Sequence, residues 1–372
     1  MSKWEKVRWS EVLEIKNGRN QKKVEDPNGI YPIYGSGGVI GYANEYLCEA
    51  ETVVIGRKGN INKPIYVQTK FWNVDTAFGL SAKSDRLYPK YLYYFCVKFN
   101  FEKLNTTVTI PSLTKRNLLN IEMRLPTIDT QKHIASTLDR VYELIDIYKQ
   151  QLTELDNLIK STFYDMFGDP VVNEKGWSLS KLAEITSKIG SGATPKGGRD
   201  SYQEKGISLI RSMNVHNGEF RYDQLAFISD EQANQLSNVI VEPKDVLINI
   251  TGASVARSCI APKDVLPARV NQHVSIVRVN KDLTTPEYIN NVLTFDSYQA
   301  RLLQMAGKGG ATREAITKKQ LQELIIPVPP LKLQHKFTSI YNSISEQKEQ
   351  VKKAIEQSQL LFDSLMSKYF DD

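Results

Sequence analysis

Cysteine and histidine are scarce in this chain of 372 residues, with three and four copies respectively. Cys48, Cys96 and Cys259 are widely scattered and cannot all pair. None lies in a CxxC or Cys/His cluster, so they read as reduced, structural thiols. His133, His216, His273 and His335 show no metal-ligand spacing. Long apolar runs are also missing, and nothing approaches the ~18 residues of a membrane span. The start, Met1-Ser2-Lys3-Trp4-Glu5, lacks the apolar stretch of a signal peptide. The expectation is a soluble, cytoplasmic protein with no membrane partner. No sign of charge dominates: 48 Lys and Arg face 42 Asp and Glu, a net +6. That permits a polyanionic partner without demanding one.

Catalytic signatures are absent as well. The glycine-containing stretches 190–198 and 307–310 lack the Gly-Lys-Ser/Thr that cradles phosphate and binds magnesium. Val328-Pro329-Pro330-Leu331 lacks the polar first residue and aromatic last residue of an adenine-methylation motif. No Pro-Asp…Glu-x-Lys nuclease triad is convincing. These absences lower the expectation of an enzyme and point toward recognition or scaffolding.

What is present is a repeat. Leu113-Thr114-Lys115-Arg116-Asn117-Leu118 reads onto Ile316-Thr317-Lys318-Lys319-Gln320-Leu321. Without a gap, Pro126 then falls on Pro329, Gln131 on Gln334, Glu143 on Glu346, Leu158 on Leu361 and Phe167 on Phe370. A duplicated unit predicts a pseudo-two-fold object.

Within residues 129–167, Ile134, Leu138, Val141, Ile145, Tyr148, Leu152, Leu155, Ile159, Thr162 and Met166 alternate in steps of four and three. The spacing is a heptad seam, which wants a partner helix. The repeat supplies one: Phe337, Tyr341, Ile344, Lys348, Val351, Ile355, Ser358, Phe362, Leu365 and Tyr369. Asp129 or Thr130 can cap the first helix, and Gly168-Asp169-Pro170 stops it. Duplicates about a two-fold axis run such helices antiparallel, and a helix of this length spans ~58 Å at ~1.5 Å per residue. A dumbbell is the expected shape.

The segments before the helices are β-rich and less alike. Thr52–Gly56 and Asp245–Ile250 read as strands feeding turns. Helical stretches are expected near Pro89–Phe99 and Pro286–Met305. The stretch from Tyr34 to Tyr42 is glycine-rich and reads first as strand–turn–strand. Arg57, Lys58, Asn60, Asn62 and Lys63 lie on one turn, where Arg and Asn can contact base edges and Lys can neutralise phosphate. The second half offers Arg211 and Asn214, then Thr251, Ser254 and Arg257, then Lys308 and Arg313. Singly each is a solvated turn; recurring at similar places in two repeats, they favour a nucleic-acid reader.

At this point the chain resembles the specificity (S) subunits of type I restriction–modification systems. The likeness rests on Leu113-Thr114-Lys115…Pro126…Gln131, on Ile316-Thr317-Lys318…Pro329-Pro330-Leu331…Gln334, and on the long helices that follow. Met166-Phe167-Gly168-Asp169-Pro170, followed by Trp177, joins the halves. The resemblance implies an α+β chain of two target recognition domains, 1–125 and 169–328, separated by an antiparallel two-helix coiled coil of conserved helices, 126–168 and 329–372. It implies a non-catalytic subunit whose target recognition domains each read one half of a bipartite, asymmetric site in double-stranded DNA. The helices are implied to set the spacing and to dock two methyltransferase subunits, with motor–nuclease subunits joining. S-adenosylmethionine, ATP and magnesium belong to those partners, and this chain is expected to bind no cofactor or metal. The alternatives are a coiled-coil scaffold with protein-binding β domains, or a specificity subunit of a type II-like methyltransferase–nuclease complex.

Overall fold

The computed structural model describes residues 4–105, 111–195, 197–307 and 314–371. They divide into two compact units, residues 1–150 with 352–372, and residues 151–351.

The first unit begins with β1 (Glu5–Arg8), a single helical turn α1 (Trp9–Val12) and β2 (Leu13–Asn17). Strands β3 (Tyr31–Gly35) and β4 (Gly38–Ala43) form a hairpin, as the glycine-rich pattern predicts; Gly38 takes φ +125°, which a side chain would resist. Then come β5 (Thr52–Gly56), β6 (Ile65–Val67), β7 (Trp72–Asn73) and β8 (Ala77–Ala82). Helices α2 (Pro89–Lys98) and α3 (Lys115–Leu119) lead to β9 (Glu122–Leu125). One sheet has the order β2-β8-β5-β6, a second β4-β3-β7, and β1 pairs with β9. Strand β5 is buried at every position, so its sequence is a continuous apolar run rather than an alternation. Trp9 sits at the centre of the core, edge-on to Phe95 and Phe101 at 5.9 and 6.2 Å.

The second unit repeats this plan. Strand β10 (Ser178–Lys181) is followed by β11 (Thr186–Ser191), β12 (Ile207–Ile210), β13 (Val215–His216), β14 (Glu219–Phe220) and β15 (Ala226–Ile228). Helix α5 (Asp230–Gln235) of this unit precedes β16 (Ile240–Val241), β17 (Val246–Asn249), β18 (Ser258–Ile260), β19 (Ala268–Val270) and β20 (Val274–Val279). Helices α6 (Pro286–Thr294), α7 (Asp296–Gly307) and α8 (Lys318–Gln322) and strand β21 (Ile325–Val328) complete it. The order β11-β20-β17-β18 matches β2-β8-β5-β6, and β10 pairs with β21 as β1 does with β9. The parallel pair β12/β19 matches the parallel pair β3/β7. Most of the extra length of the second domain lies in the β13–β14 hairpin, α5 and β16.

The helix expected over Pro286–Met305 is broken at Phe295, which is extended at φ −67°, ψ 138°. Packing explains the break: the Phe295 ring lies 5.7 Å from Phe163 and 6.4 Å from Tyr164.

The long helices are α4 (Ile128–Phe167) and α9 (Leu331–Phe370). The cap of α4 lies earlier than Asp129 or Thr130: Thr127 precedes the helix, and its hydroxyl oxygen accepts from the Thr130 N–H at 3.4 Å. Gly168 ends α4 at φ +76°, its N–H donating to the Tyr164 carbonyl at 2.7 Å. In the first unit the N-terminal half of α4 meets the C-terminal half of α9, with Ile134, Leu138 and Met366 in one core and the Tyr142 and Phe362 rings 6.5 Å apart. In the second unit the C-terminal half of α4 meets the N-terminal half of α9, with Phe163 and Phe167 at 5.5 and 5.4 Å from Phe337. The helices therefore pair antiparallel. Every position of both expected seams is buried or half-buried: Leu138, Val141, Ile145, Leu152, Leu155 and Ile159 on one side, and Tyr341, Ile344, Val351, Ile355, Phe362 and Leu365 on the other. The seam lysine Lys348 is ion-paired with Asp156. Burial pushes the Tyr341 phenol up to about 12.

One buried amide fastens each domain to its helix. Gln131 accepts from the Tyr88 N–H at 2.8 Å and donates to the carbonyls of Arg86 and Pro126 at 2.9 and 2.8 Å. Gln334 accepts from the Thr284 hydroxyl and the Thr285 N–H at 2.9 and 3.0 Å. It donates to the carbonyls of Leu283 and Pro329 at 3.3 and 2.8 Å. Tyr91 and Tyr288 repeat the device, donating to the carbonyls of Arg124 and Pro327 at 2.9 and 2.7 Å.

Candidate nucleic-acid interface

In each domain one end of the four-stranded sheet gathers the loops that carry polar side chains. In the first unit that end holds the exit of β2 (Gly18, Arg19), the exit of β5 (residues 57–63) and the entry to β8 (Asp75, Thr76). The sheet brings them together because Asn17 lies opposite Phe78, and Gly56 opposite Ala77. Gly18 permits this closeness, since a Cβ there would lie 1.8 Å from the Val74 carbonyl oxygen. The loop after β5 is strapped by a passing segment: Leu113 N–H donates to the Arg57 carbonyl at 2.9 Å, and Gly59 N–H to the Pro111 carbonyl at 3.3 Å.

The second unit straps its loop in the same way. Ile316 N–H donates to the Ile250 carbonyl at 2.8 Å, and Gly252 N–H to the Glu314 carbonyl at 2.9 Å. Gly59 and Gly252 both sit at φ +77°. Arg57 N–H donates to the Thr76 carbonyl at 2.7 Å, as Ile250 N–H does to the His273 carbonyl at 2.9 Å. Gly192 mirrors Gly18, with a Cβ position 1.7 Å from the Val270 carbonyl oxygen. The backbone is thus duplicated while the side chains it presents differ: Arg57 corresponds to Ile250, Lys58 to Thr251 and Thr76 to His273.

The residues expected from sequence fall around these ends in different states. Lys58, Asn60 and Lys63 are exposed; Arg57 is half-buried, its guanidinium 5.8 Å from the Phe78 ring centre. Asn62 is exposed, but its amide is engaged: Oδ1 accepts from the Phe101 N–H at 2.8 Å and Nδ2 donates to Asn100 at 3.2 Å. Thr251, Ser254 and Arg257 are half-buried on the strapped loop. Arg211 reaches back to the Gln224 carbonyl and lies 5.4 Å from the Tyr202 ring. Asn214 is buried, and its amide is used inside its own loop, accepting from Arg211 N–H at 3.0 Å and donating to the carbonyls of Arg221 and Asp223. Arg211 and Asn214 therefore hold a turn that abuts the site, since the Asn249 amide donates to the Ser212 carbonyl at 2.9 Å. Lys308 and Arg313 lie outside the described residues.

Sequence reasoning overlooked Thr194, Gln272 and His273. Gly192–Thr194 leaves β11 and Gln272–His273 enters β20, so antiparallel pairing of these strands sets them side by side. No single loop signals them: the turn at Gln272–His273 is recognised as the counterpart of the β8 entry only once the two sheets are aligned. Among the described residues no three or more His, Cys, Asp or Glu side chains group as metal donors, and no helix is long and apolar enough to cross a membrane.

A duplicated β domain with polar loops at one sheet end, each fastened to a long paired helix, defines a recognition protein. The family model for the type I restriction modification DNA specificity domain matches residues 1–157 and 174–357, and the chain belongs to that family. The EcoBI specificity subunit of Escherichia coli is 22% identical over 360 residues, covering 87% of this chain and 74% of its own. The MjaVIII specificity subunit of Methanocaldococcus jannaschii is 22% identical over 384 residues, covering 94% and 90%. The crystal structure of a type I S subunit from M. genitalium has a TM-score of 0.65 at 18% identity, covering 99% of this chain and 96% of that one. A chain from a structural study of type I complex assembly and conformational transition reaches 0.60 at 17% identity, covering 99% and 98%. Those two likenesses carry the fold.

Proposed function

We propose that this chain is the non-catalytic DNA-recognition subunit of a type I restriction–modification complex, each β domain reading one half of a bipartite, asymmetric site. One observation carries the reading: the same strapped loop stands at the same sheet end of both domains, built with different side chains. A common backbone with divergent presented groups is what reading two unlike half-sites requires. Lys58 and Lys63 neutralise phosphates, and the polar groups beside them face base edges.

The paired helices set the distance between half-sites and dock two methyltransferase subunits. Leu144, Ile147, Leu158, Leu360 and Leu361 are exposed apolar side chains on these helices, suited to a protein partner. S-adenosylmethionine, ATP and magnesium act in the partner subunits, including motor–nuclease subunits where present.

The test is methylation mapping and gel shift of the full chain with and without a co-expressed methyltransferase subunit. Sequence-specific methylation that requires both proteins is expected; methylation or cleavage by this chain alone, or no DNA binding with any methyltransferase, refutes the proposal. Exchanging residues 1–113 for those of a relative should alter one half-site only. A four-residue insertion in each long helix adds ~6 Å, about one or two base pairs at ~3.4 Å each, to the spacing.

A further inference from the structure

At the reading end of the second domain, four side chains form a continuous hydrogen-bonded chain. The Thr194 hydroxyl bonds to Gln272 Oε1, Gln272 Nε2 meets His273 Nε2 at 3.1 Å, and His273 Nδ1 meets Thr251 Oγ1 at 2.5 Å. Donor logic orders the chain. With Oε1 taken by a hydroxyl, the Gln272 amide donates to His273 Nε2, which leaves the ring proton on Nδ1 for Thr251. The turn beneath is fixed by its backbone: Asn271 N–H donates to the Ile210 carbonyl at 3.0 Å, Gly192 N–H to the Asn271 carbonyl at 3.1 Å, and His273 N–H to Asn271 Oδ1 at 3.0 Å.

Gln272 is nevertheless exposed. An exposed glutamine ordinarily keeps its rotamer freedom, and ordering it on binding costs free energy. Here that ordering is already present. The chain uses one lone pair of Oε1 and one hydrogen of Nε2, so one acceptor site and one donor remain on the amide. An adenine presents the complement in the major groove, an N7 acceptor beside an N6 donor. Guanine presents two acceptors, and its O6 would oppose Gln272 Oε1.

Building on the assignment of the second domain as a DNA reader, we infer that Gln272, held by Thr194 and His273, specifies an adenine in that domain's half-site. Thr194, His273 and Thr251 are positioning residues. The corresponding turn of the first domain carries Asp75 and Thr76, so its half-site is read with other groups.

The experiment maps methylated motifs in cells lacking adenine methylation that co-express the full chain and its methyltransferase subunit. With Gln272→Ala, discrimination of adenine from guanine at one position of one half-site should fall about tenfold or more. With Gln272→Arg, preference at that position should move from adenine to guanine. An unchanged motif in both variants overturns the inference, as does a change confined to the half-site of the first domain, which leaves two-domain reading intact. A wild-type complex without any bipartite motif overturns the proposed function, and this inference with it.

Discussion

Truncating Gln334 to alanine tests whether the repeated amide is the fastening between domain and helix. Gln334 is 0% exposed and makes four hydrogen bonds. In Gln334→Ala the Thr284 hydroxyl can rotate to another acceptor, but the Thr285 N–H and the Leu283 and Pro329 carbonyls cannot leave the interior. An unsatisfied buried N–H costs ~1–3 kcal/mol, and each carbonyl, with a second lone pair, somewhat less. A loss of about 3–4 kcal/mol is expected, a factor of several hundred in the local opening equilibrium. Two compact units make a single global transition a poor reporter. Hydrogen exchange of the Thr285 amide and its neighbours, followed by mass spectrometry, reads the loss where it occurs. Protection within about 0.5 kcal/mol of wild type would refute the fastening role, because surface substitutions fall in that range. Gln334→Glu adds a sign test. A carboxylate there would face the Pro329 carbonyl, so its folded-state pKa is raised above the unfolded value. The folded state then holds the extra proton, and the penalty is full above the raised pKa and shrinks as pH falls toward the unfolded value.

Phe163→Ala should cost about 3–5 kcal/mol, because the ring lies among Phe167, Tyr288, Phe295 and Phe337, whereas Tyr164→Ala, at 51% exposure, should cost far less; equal losses in urea unfolding would contradict the packing account. Gly59→Ala should cost ~1 kcal/mol for its left-handed backbone, while Gly192→Ala should lose much more, since its Cβ position overlaps a carbonyl oxygen; hydrogen exchange around each glycine, compared with wild type, decides. Replacing Lys58 and Lys63 together by alanine should lower the salt dependence of DNA binding by about 1–2 in log–log slope, given ~0.9 per phosphate; an unchanged slope would show that neither lysine meets the backbone.

Local periodicity made the helices legible. A seam repeated every three and four residues over forty has little freedom to mean anything else, and Leu138 and Ile344 are buried as it requires. Gln131 and Gln334 were visible as matched letters, but not as clamps, because all but one of each amide's partners lie more than forty residues away. The base-reading candidates were legible where they share one loop, as Lys58 and Asn60 do. Thr194, Gln272 and His273 were not, since they come from two strands whose adjacency is a property of the sheet. Polar letters in loops also carry two meanings: Asn60 is exposed, while Asn214 spends its whole amide on its own turn. Composition cannot tell these apart, because the difference lies in whether nearby carbonyls already need a donor.

The strap over each polar loop constrains how such proteins can trade parts. Because Leu113 and Pro111 bond to the loop at residues 57–59, a hybrid joined anywhere between them would marry a loop from one parent to a strap from another. Junctions in the matched stretch that begins at Thr114 keep the two from the same parent, and its twin at Thr317 offers the same seam in the other half. Hybrids joined at those two borders keep every strap with its own loop, so each such piece travels as a cassette.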